Sequence, residues 1–214
     1  MSATADPAPP DALLYIANGC PHCPTVLQGL SELVKSGAIG RLEVVNITRH
    51  PEAAQQAGVR AVPWLRLGPF ILTGLRAPAE LARWAQRADS TQGLAEYLGE
   101  LLTEGNLAEV RATLTRAPQA AAALVLLLGD PEAELQVRLG AAAVIEDLEG
   151  SETLAGQIEA LGALTRHADA RIRVDAAHAL GLSHAAAART WLEALREDRD
   201  GDVREEAEEG LARL

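Results

Sequence analysis

Aromatic side chains are scarce: one Phe, two Tyr and three Trp in 214 residues, 3% of the chain. A core of bulky rings is excluded, and small aliphatic side chains must fill the interior. There are 42 Ala, which favours closely packed helices. Cysteine is nearly absent, with two residues, too few for the disulfide-stapled scaffold of a small secreted domain. No apolar run approaches the ~20 residues needed to span a bilayer as a helix. Positive charge is in deficit: 19 Lys and Arg face 30 Asp and Glu, for a formal net charge of −11. Binding to nucleic acid or to an anionic membrane is not expected, because both need an excess of cations to neutralise phosphate. The opening Met1-Ser-Ala-Thr-Ala-Asp6-Pro-Ala-Pro-Pro10 has neither the basic start nor the apolar stretch of a secretory signal. It reads as a disordered lead over residues 1–10, and the expected address is the cytoplasm.

Charge divides what remains. Residues 1–90 hold eight Lys and Arg against seven Asp and Glu; residues 91–214 hold eleven against 23. Ala-rich sequence also concentrates after residue 90. Both shifts fall at the polar stretch Ala88-Asp-Ser-Thr-Gln-Gly93, so domains are expected over 11–90 and 91–214.

The first domain alternates strand and helix. Leu13–Ala17 is a short apolar run between prolines and Asn18-Gly19, suited to a buried strand. From Pro21 to about Ser36, Val26, Leu27, Leu30, Leu33 and Val34 form one helical stripe, closed by Gly37. Arg41–Ile47 reads as a strand. Pro51–Ala57 reads as a short helix with Pro in its first turn. Trp64–Leu67 and Phe70–Thr73 are strands joined by Gly68-Pro69, and Pro78–Ala88 is a closing helix. The order β-α-β-α-β-β-α predicts an α/β fold with a parallel pair followed by an antiparallel hairpin.

Cys20-Pro21-His22-Cys23 falls between the first strand and the first helix. If Cys20 caps that helix, its sulfur meets free backbone N–H groups and the positive end of the helix dipole, and both favour thiolate. Such placement lowers a cysteine pKa from ~8.5 into roughly 3.5–7.5. His22 adds a possible cation and donor, so Pro21 and His22 are candidate tuning residues. Cys20 is then the nucleophile and Cys23, one helical turn on, the resolving thiol. A zinc site wants four ligands and this chain offers one cysteine pair, so no metal is expected. A structural pair without turnover, or a fold that binds without redox cycling, remains open. Val62-Pro63 stands just before a strand, about 40 residues after the cysteines. A cis bond there makes a tight turn and exposes the backbone of Val62 to another chain.

With Cys20-Pro-His-Cys-Pro24, Ala61-Val-Pro63-Trp and Phe70-x-x-x-Gly74 in place, residues 13–88 resemble a thioredoxin-fold domain of minimal, glutaredoxin-like size. They are most similar to the glutaredoxin-like domains of archaeal-type protein disulfide oxidoreductases and to the amino-terminal domain of alkyl hydroperoxide reductase flavoproteins. The resemblance implies attack by Cys20, resolution by Cys23, and pairing of substrate backbone with Val62 beside Pro63. No pattern match marks a counterpart of the buried acid that assists proton transfer in thioredoxins; Glu43 and Asp11 are the candidates. No organic cofactor is implied.

The second domain repeats. Val137-Arg-Leu-Gly-Ala, Ile172-Arg-Val-Asp-Ala and Val203-Arg-Glu-Glu-Ala recur at offsets of 35 and 31, preceded by Asp130, Asp169 and Asp200. Second helices are expected over about 152–166 and 185–197, with further helices over 94–104, 106–116 and 118–129. This all-α helix–turn–helix pattern has a solenoid period and resembles HEAT-like repeats of the phycobilisome-lyase type. The resemblance implies that Asp169, Arg173, Asp200 and Arg204 link neighbouring repeats. The spacing of His167, His178 and His184 does not suggest metal binding. The function expected is a thiol–disulfide oxidoreductase acting on a protein disulfide, its helical tail docking a second protein. A non-catalytic adaptor and a sulfur or persulfide carrier using Cys20 are the alternatives.

Overall fold

The computed structural model describes residues 8–214, so residues 1–7 of the expected lead lie outside the described residues. The chain divides into two compact units, the first ending at Leu94 and the second running from Ala95 to Leu214. Helix α4, Thr91–Thr103, begins within the polar stretch and runs across that division.

In the first unit β1 (Ala12–Ile16), β2 (Leu42–Asn46), β3 (Trp64–Leu67) and β4 (Phe70–Thr73) form one mixed sheet in the order β2-β1-β3-β4. β1 and β2 are parallel; β1–β3 and β3–β4 are antiparallel. The helices are α1 (Cys23–Ser36), α2 (Pro51–Gln56) and α3 (Pro78–Arg87). Period-two alternation sets the register. Ala12, Leu14, Leu65, Leu67, Phe70 and Leu72 share one face through the cross-strand pairs and are at most 3% exposed. The Phe70 ring lies 4.8 Å from Trp84 of α3, so α3 packs on this face. α1 is held against α3 where Gly29 meets Leu81 and Pro78: a Cβ on Gly29 would lie 3.0 Å from Leu81 Cδ1. Truncating Leu14 or Leu30, each 0% exposed, costs about 2–5 kcal/mol by lost burial and the cavity left. The opposite face, with Leu13, Trp64 and Ile71, is only partly buried.

The second unit, with the helix that leads into it, is entirely helical between its turns. After α4 come α5 (Leu107–Arg116), α6 (Ala121–Leu128), α7 (Leu135–Glu146), α8 (Glu152–Ala155), α9 (Ile158–Leu164), α10 (Ala170–Leu182), α11 (Arg189–Leu195) and α12 (Gly201–Ala212). The segment 152–166, expected as one helix, is two: Gly156, a poor helix former, ends α8 and Gln157 opens α9. The segments beginning at 118 and 185 each open with a 3₁₀ turn, Pro118–Ala120 and Ala186–Ala188. Small residues bring α10 and α12 together: Ala176, Ala177, Ala179 and Ala207 are at most 1% exposed. A Cβ on Gly181 would lie 2.7 Å from Gly210 Cα, so the two backbones cross in direct contact. No described helix is long and apolar enough to cross a membrane.

The repeated Asp and Arg residues divide their labour differently from the expectation. Asp169 and Asp200 cap their own helices, accepting from the backbone N–H of Arg171 at 2.9 Å and of Asp202 at 3.0 Å. Asp130 makes a local turn, accepting from Glu132 N–H at 2.9 Å, and does not cap α7. The links between segments come from arginine. Arg173, 4% exposed, holds Asp198 with two bonds of 2.8 Å and donates to the carbonyls of His167 and Ala168 at 2.9 and 3.0 Å. Arg204 donates to the Asp198 carbonyl at 2.7 Å, and Arg138 reaches Asp175 at 2.8 Å. The acidic partners are thus Asp198 and Asp175, which the repeat pattern does not single out. Of the three, Arg173 is the one whose planar guanidinium saturates several oxygens at once.

Candidate active site

Two loops leave the sheet at one end of the β1–β3 pair, because that pair is antiparallel with Tyr15 opposite Trp64. The chain leaves β1 after Ile16 towards the cysteines and enters β3 from Val62-Pro63. Topology therefore places Cys20 beside Val62, 42 positions away in sequence. At the same end Tyr15 and Trp64 meet edge-to-face, centroids 5.4 Å apart.

The cysteine loop turns at Asn18-Gly19. Cys20 N–H donates to Ala17 O at 3.3 Å, and Gly19 has φ +74°, a conformation costly for any residue with a Cβ. A second tie fastens the loop to the end of β2: Asn18 N–H donates to Thr48 Oγ1 at 3.1 Å. Asn46 Nδ2 in turn donates to Asn18 Oδ1 at 2.9 Å, and Thr48 N–H to Asn46 Oδ1 at 3.0 Å. α1 then begins at Cys23. Its capping position belongs to His22 rather than Cys20, and the His22 side chain makes no cap bond. Pro24 fills a first-turn position where its missing N–H costs nothing.

Cys20 and Cys23 are joined as a disulfide, with Cα atoms 5.5 Å apart. Cys20 is partly exposed and Cys23 is 4% exposed. Although Cys20 is not the formal cap, its sulfur does what a cap does. It accepts the Cys23 backbone N–H at 3.2 Å, one of the donors a helix start leaves unsatisfied. The first turn holds no acidic residue to offset the positive helix end. Both effects favour negative charge on that sulfur once the bond opens. The Val62 carbonyl oxygen lies 3.9 Å from the same sulfur. In the disulfide it is a contact only, since no S–H exists; in the reduced form it can accept from a thiol but offers a thiolate nothing.

The other residues expected at the site fall as follows. Pro21 and His22 are exposed, so the imidazole stands in solvent at the lip. The Val62–Pro63 bond is cis, Pro63 is buried, and its carbonyl accepts the Gly74 N–H at 2.9 Å. That bond ties the turn to the end of β4. Glu43 and Asp11 are both exposed, and Asp11 lies 3.3 Å from Arg41. Neither is a buried acid beneath the cysteines. In the sequence the Asn18–Asn46–Thr48 network has only the Asn-Gly turn as a local signal, and Gly74, which closes the Phe70-x-x-x-Gly74 motif, carries no sign of its bond to Pro63.

The remaining titratable candidates are engaged elsewhere. His178 Nδ1 lies 2.8 Å from Glu206; His184 lies 2.9 Å from both the Arg213 carbonyl and Glu149. Among the described residues, no group of three or more His, Cys, Asp or Glu is placed to hold a metal ion.

Fold and site together define a thioredoxin-like unit with a close cysteine pair, followed by a largely helical region. A family model described as a thioredoxin domain matches residues 14–86, about a third of the chain. No curated protein matches the chain. A thioredoxin-like domain with this cysteine pair supports general thiol oxidoreductase chemistry.

Proposed function

We propose that the protein reduces disulfides in other proteins through the Cys20–Cys23 pair, and that its helical region is a HEAT-like array that docks a protein partner. In the dithiol form the Cys20 thiolate attacks one sulfur of a substrate disulfide. A Cys20–substrate bond forms and the other substrate sulfur leaves as a thiolate that takes up a proton. Cys23 loses its proton to solvent and attacks Cys20, closing the intramolecular disulfide and releasing the second substrate thiolate. Two electrons pass to the substrate, and an external dithiol restores the pair. Pro21 and His22 tune the thiolate from the lip. Val62, turned by Pro63, offers its backbone to the substrate chain beside the attacked sulfur. The chemistry needs no metal or organic cofactor, and a reducing compartment such as the cytoplasm suits this direction.

The observation that carries this reading is the Cys20 sulfur. It accepts a helix-start N–H at 3.2 Å and is partly exposed, while Cys23 is buried behind it. Replacing Cys23 with Ser removes the resolving step, so partner proteins should accumulate as mixed disulfides on Cys20 that dithiothreitol releases. A Cys23→Ser protein that captures nothing, joined to a wild type that fails to turn over a model disulfide with dithiothreitol, would refute the enzyme. Full biological activity in a Cys20→Ser variant would point instead to an adaptor.

A further inference from the structure

We propose that an apolar groove in the helical unit seats a basic amphipathic helix of a partner protein. The inference deepens the docking half of the proposed function and is independent of the thiol chemistry. The groove, about 530 Å³, is lined by Leu102, Leu107, Leu135, Leu139, Gly140 and Ala143. Its far wall is the outward face of α7. That helix already gives Val137, Ala141, Val144 and Ile145 to the interior. Leu135 and Leu139, one turn apart, face the other way and are 67% and 61% exposed, the two most exposed large apolar side chains described. They do no work for the core, and a contiguous apolar surface of this kind marks an interaction site. Gln136, which also lines the groove, holds it in shape: its Nε2 donates to the carbonyls of Leu102 and Thr103 at 3.2 and 3.1 Å, fixing the start of α7 to the end of α4.

Charge identifies the occupant. Glu104 precedes Gly105 and Glu134 precedes Leu135, both of which line the groove; Glu100 and Glu132 lie two and three positions from the lining Leu102 and Leu135 in the chain, and all four are exposed. From Thr91 to Val110 the sequence has no Lys, Arg or His. The nearest cations in the chain on either side, Arg111 and Arg138, are already committed, to Asp147 at 2.6 Å and to Asp175 at 2.8 Å. An apolar trough with an unneutralised acidic rim fits a helix with leucine-like anchors at i, i+3, i+4 and i+7 and Lys or Arg alongside. A second copy would set acidic rim against acidic rim, and nucleic acid or anionic lipid carries the wrong sign.

The test uses the full chain and a fluorescent peptide of about 18 residues, long enough for five helical turns, with Leu at those anchor positions, Lys elsewhere and no cysteine. A control peptide carries Glu in place of Lys. Fluorescence anisotropy should show saturable binding of the Lys peptide, weakened by salt, and none of the Glu peptide. Leu139→Asp, at a solvent-facing position, should weaken binding about tenfold or more, as loss of an anchor does. A variant with Glu104, Glu132 and Glu134 changed to Gln should bind severalfold less tightly at low salt and nearly as wild type at high salt. Equal binding to wild type and Leu139→Asp, or equal binding of the two peptides, overturns the proposal. So does a dimer, seen by sedimentation, that Leu139→Asp dissolves, since the face would then belong to a second copy. Reduction of a small model disulfide should be unchanged in Leu139→Asp. Failure of the peptide to bind while that activity persists removes the docking site and leaves the oxidoreductase standing.

Discussion

Arg173 and Asp198 are the most deeply buried ion pair among the described residues of the helical unit, with side chains 5% and 12% exposed. The guanidinium spends four hydrogen bonds on Asp198 and on two carbonyls, joining α10 to the turn before it and to the turn between α11 and α12. Asp198→Asn removes the charge while leaving Arg173 buried, and turns an amide N–H₂ towards a guanidinium that can only donate. Each bond to a charged group is worth about 1.5–3 kcal/mol, and breaking a buried pair from one side costs about 3–5 kcal/mol. A loss of about 3 kcal/mol should speed hydrogen exchange of the protected amides in α10 and α12 by about a hundredfold. Arg173→Met should cost a similar amount, and the double variant with Asp198→Leu less than the sum, because no charge is then left unpaired. The paired guanidinium holds the Asp198 carboxyl below its ordinary value. Its contribution is therefore complete above the unfolded pKa of about 3.9 and disappears as pH falls through the lower folded value. Wild type and Asp198→Asn should differ at neutral pH and converge in acid. A difference below about 0.5 kcal/mol at pH 7, the scatter of ordinary surface changes, would refute the reasoning.

His184 gives the opposite pH signature. Its ring lies between two acceptors, and the Arg213 carbonyl, followed by Glu149, raises its pKa. The stabilisation is complete below the unfolded value of about 6.5 and is lost as pH rises through the raised folded value. His184→Asn, which tolerates the φ of +50°, should lower the melting temperature at pH 6 and match wild type in alkali; a gap that widens with pH would contradict this. Gly181→Ala should destabilise by about 1–3 kcal/mol despite the better helix propensity of Ala, because its Cβ meets the Gly210 backbone. Calorimetry that finds an unchanged or raised melting temperature would show that α10 and α12 can move apart.

Strong periodicity made most of the fold legible. The strands at Trp64–Leu67 and Phe70–Thr73 fall where alternation and Gly68-Pro69 put them, and α1 follows its apolar stripe to Gly37. Cys20, Cys23, Val62 and Pro63 are legible as candidates in residue type and position, and the structure brings them together, with the Val62 carbonyl 3.9 Å from the Cys20 sulfur. The fastening of the site was not legible. Asn18, Asn46 and Thr48 come together only because β2 lies parallel to β1, and no local pattern reports a pairing across 30 residues. The repeat pattern located α7, α10 and α12 but named the wrong carboxylates. Asp169 and Asp200 cap their own helices, whereas Asp198 and Asp175 become partners only when segments 25 and 37 positions apart pack together. The groove beside α7 escaped for a related reason. Leu135 and Leu139 look like core residues until Val137, Ala141 and Val144 are seen to occupy the buried face.

At the centre of the account is a difference between two sulfurs three residues apart: one at a helix start and open to solvent, one buried. Reduced protein treated with iodoacetamide near pH 6, below the ordinary thiol pKa of about 8.5, should be modified at Cys20 well before Cys23, as peptide mass spectrometry would show. Equal rates at the two cysteines, or faster modification of Cys23, would contradict the assignment of Cys20 as the attacking thiolate.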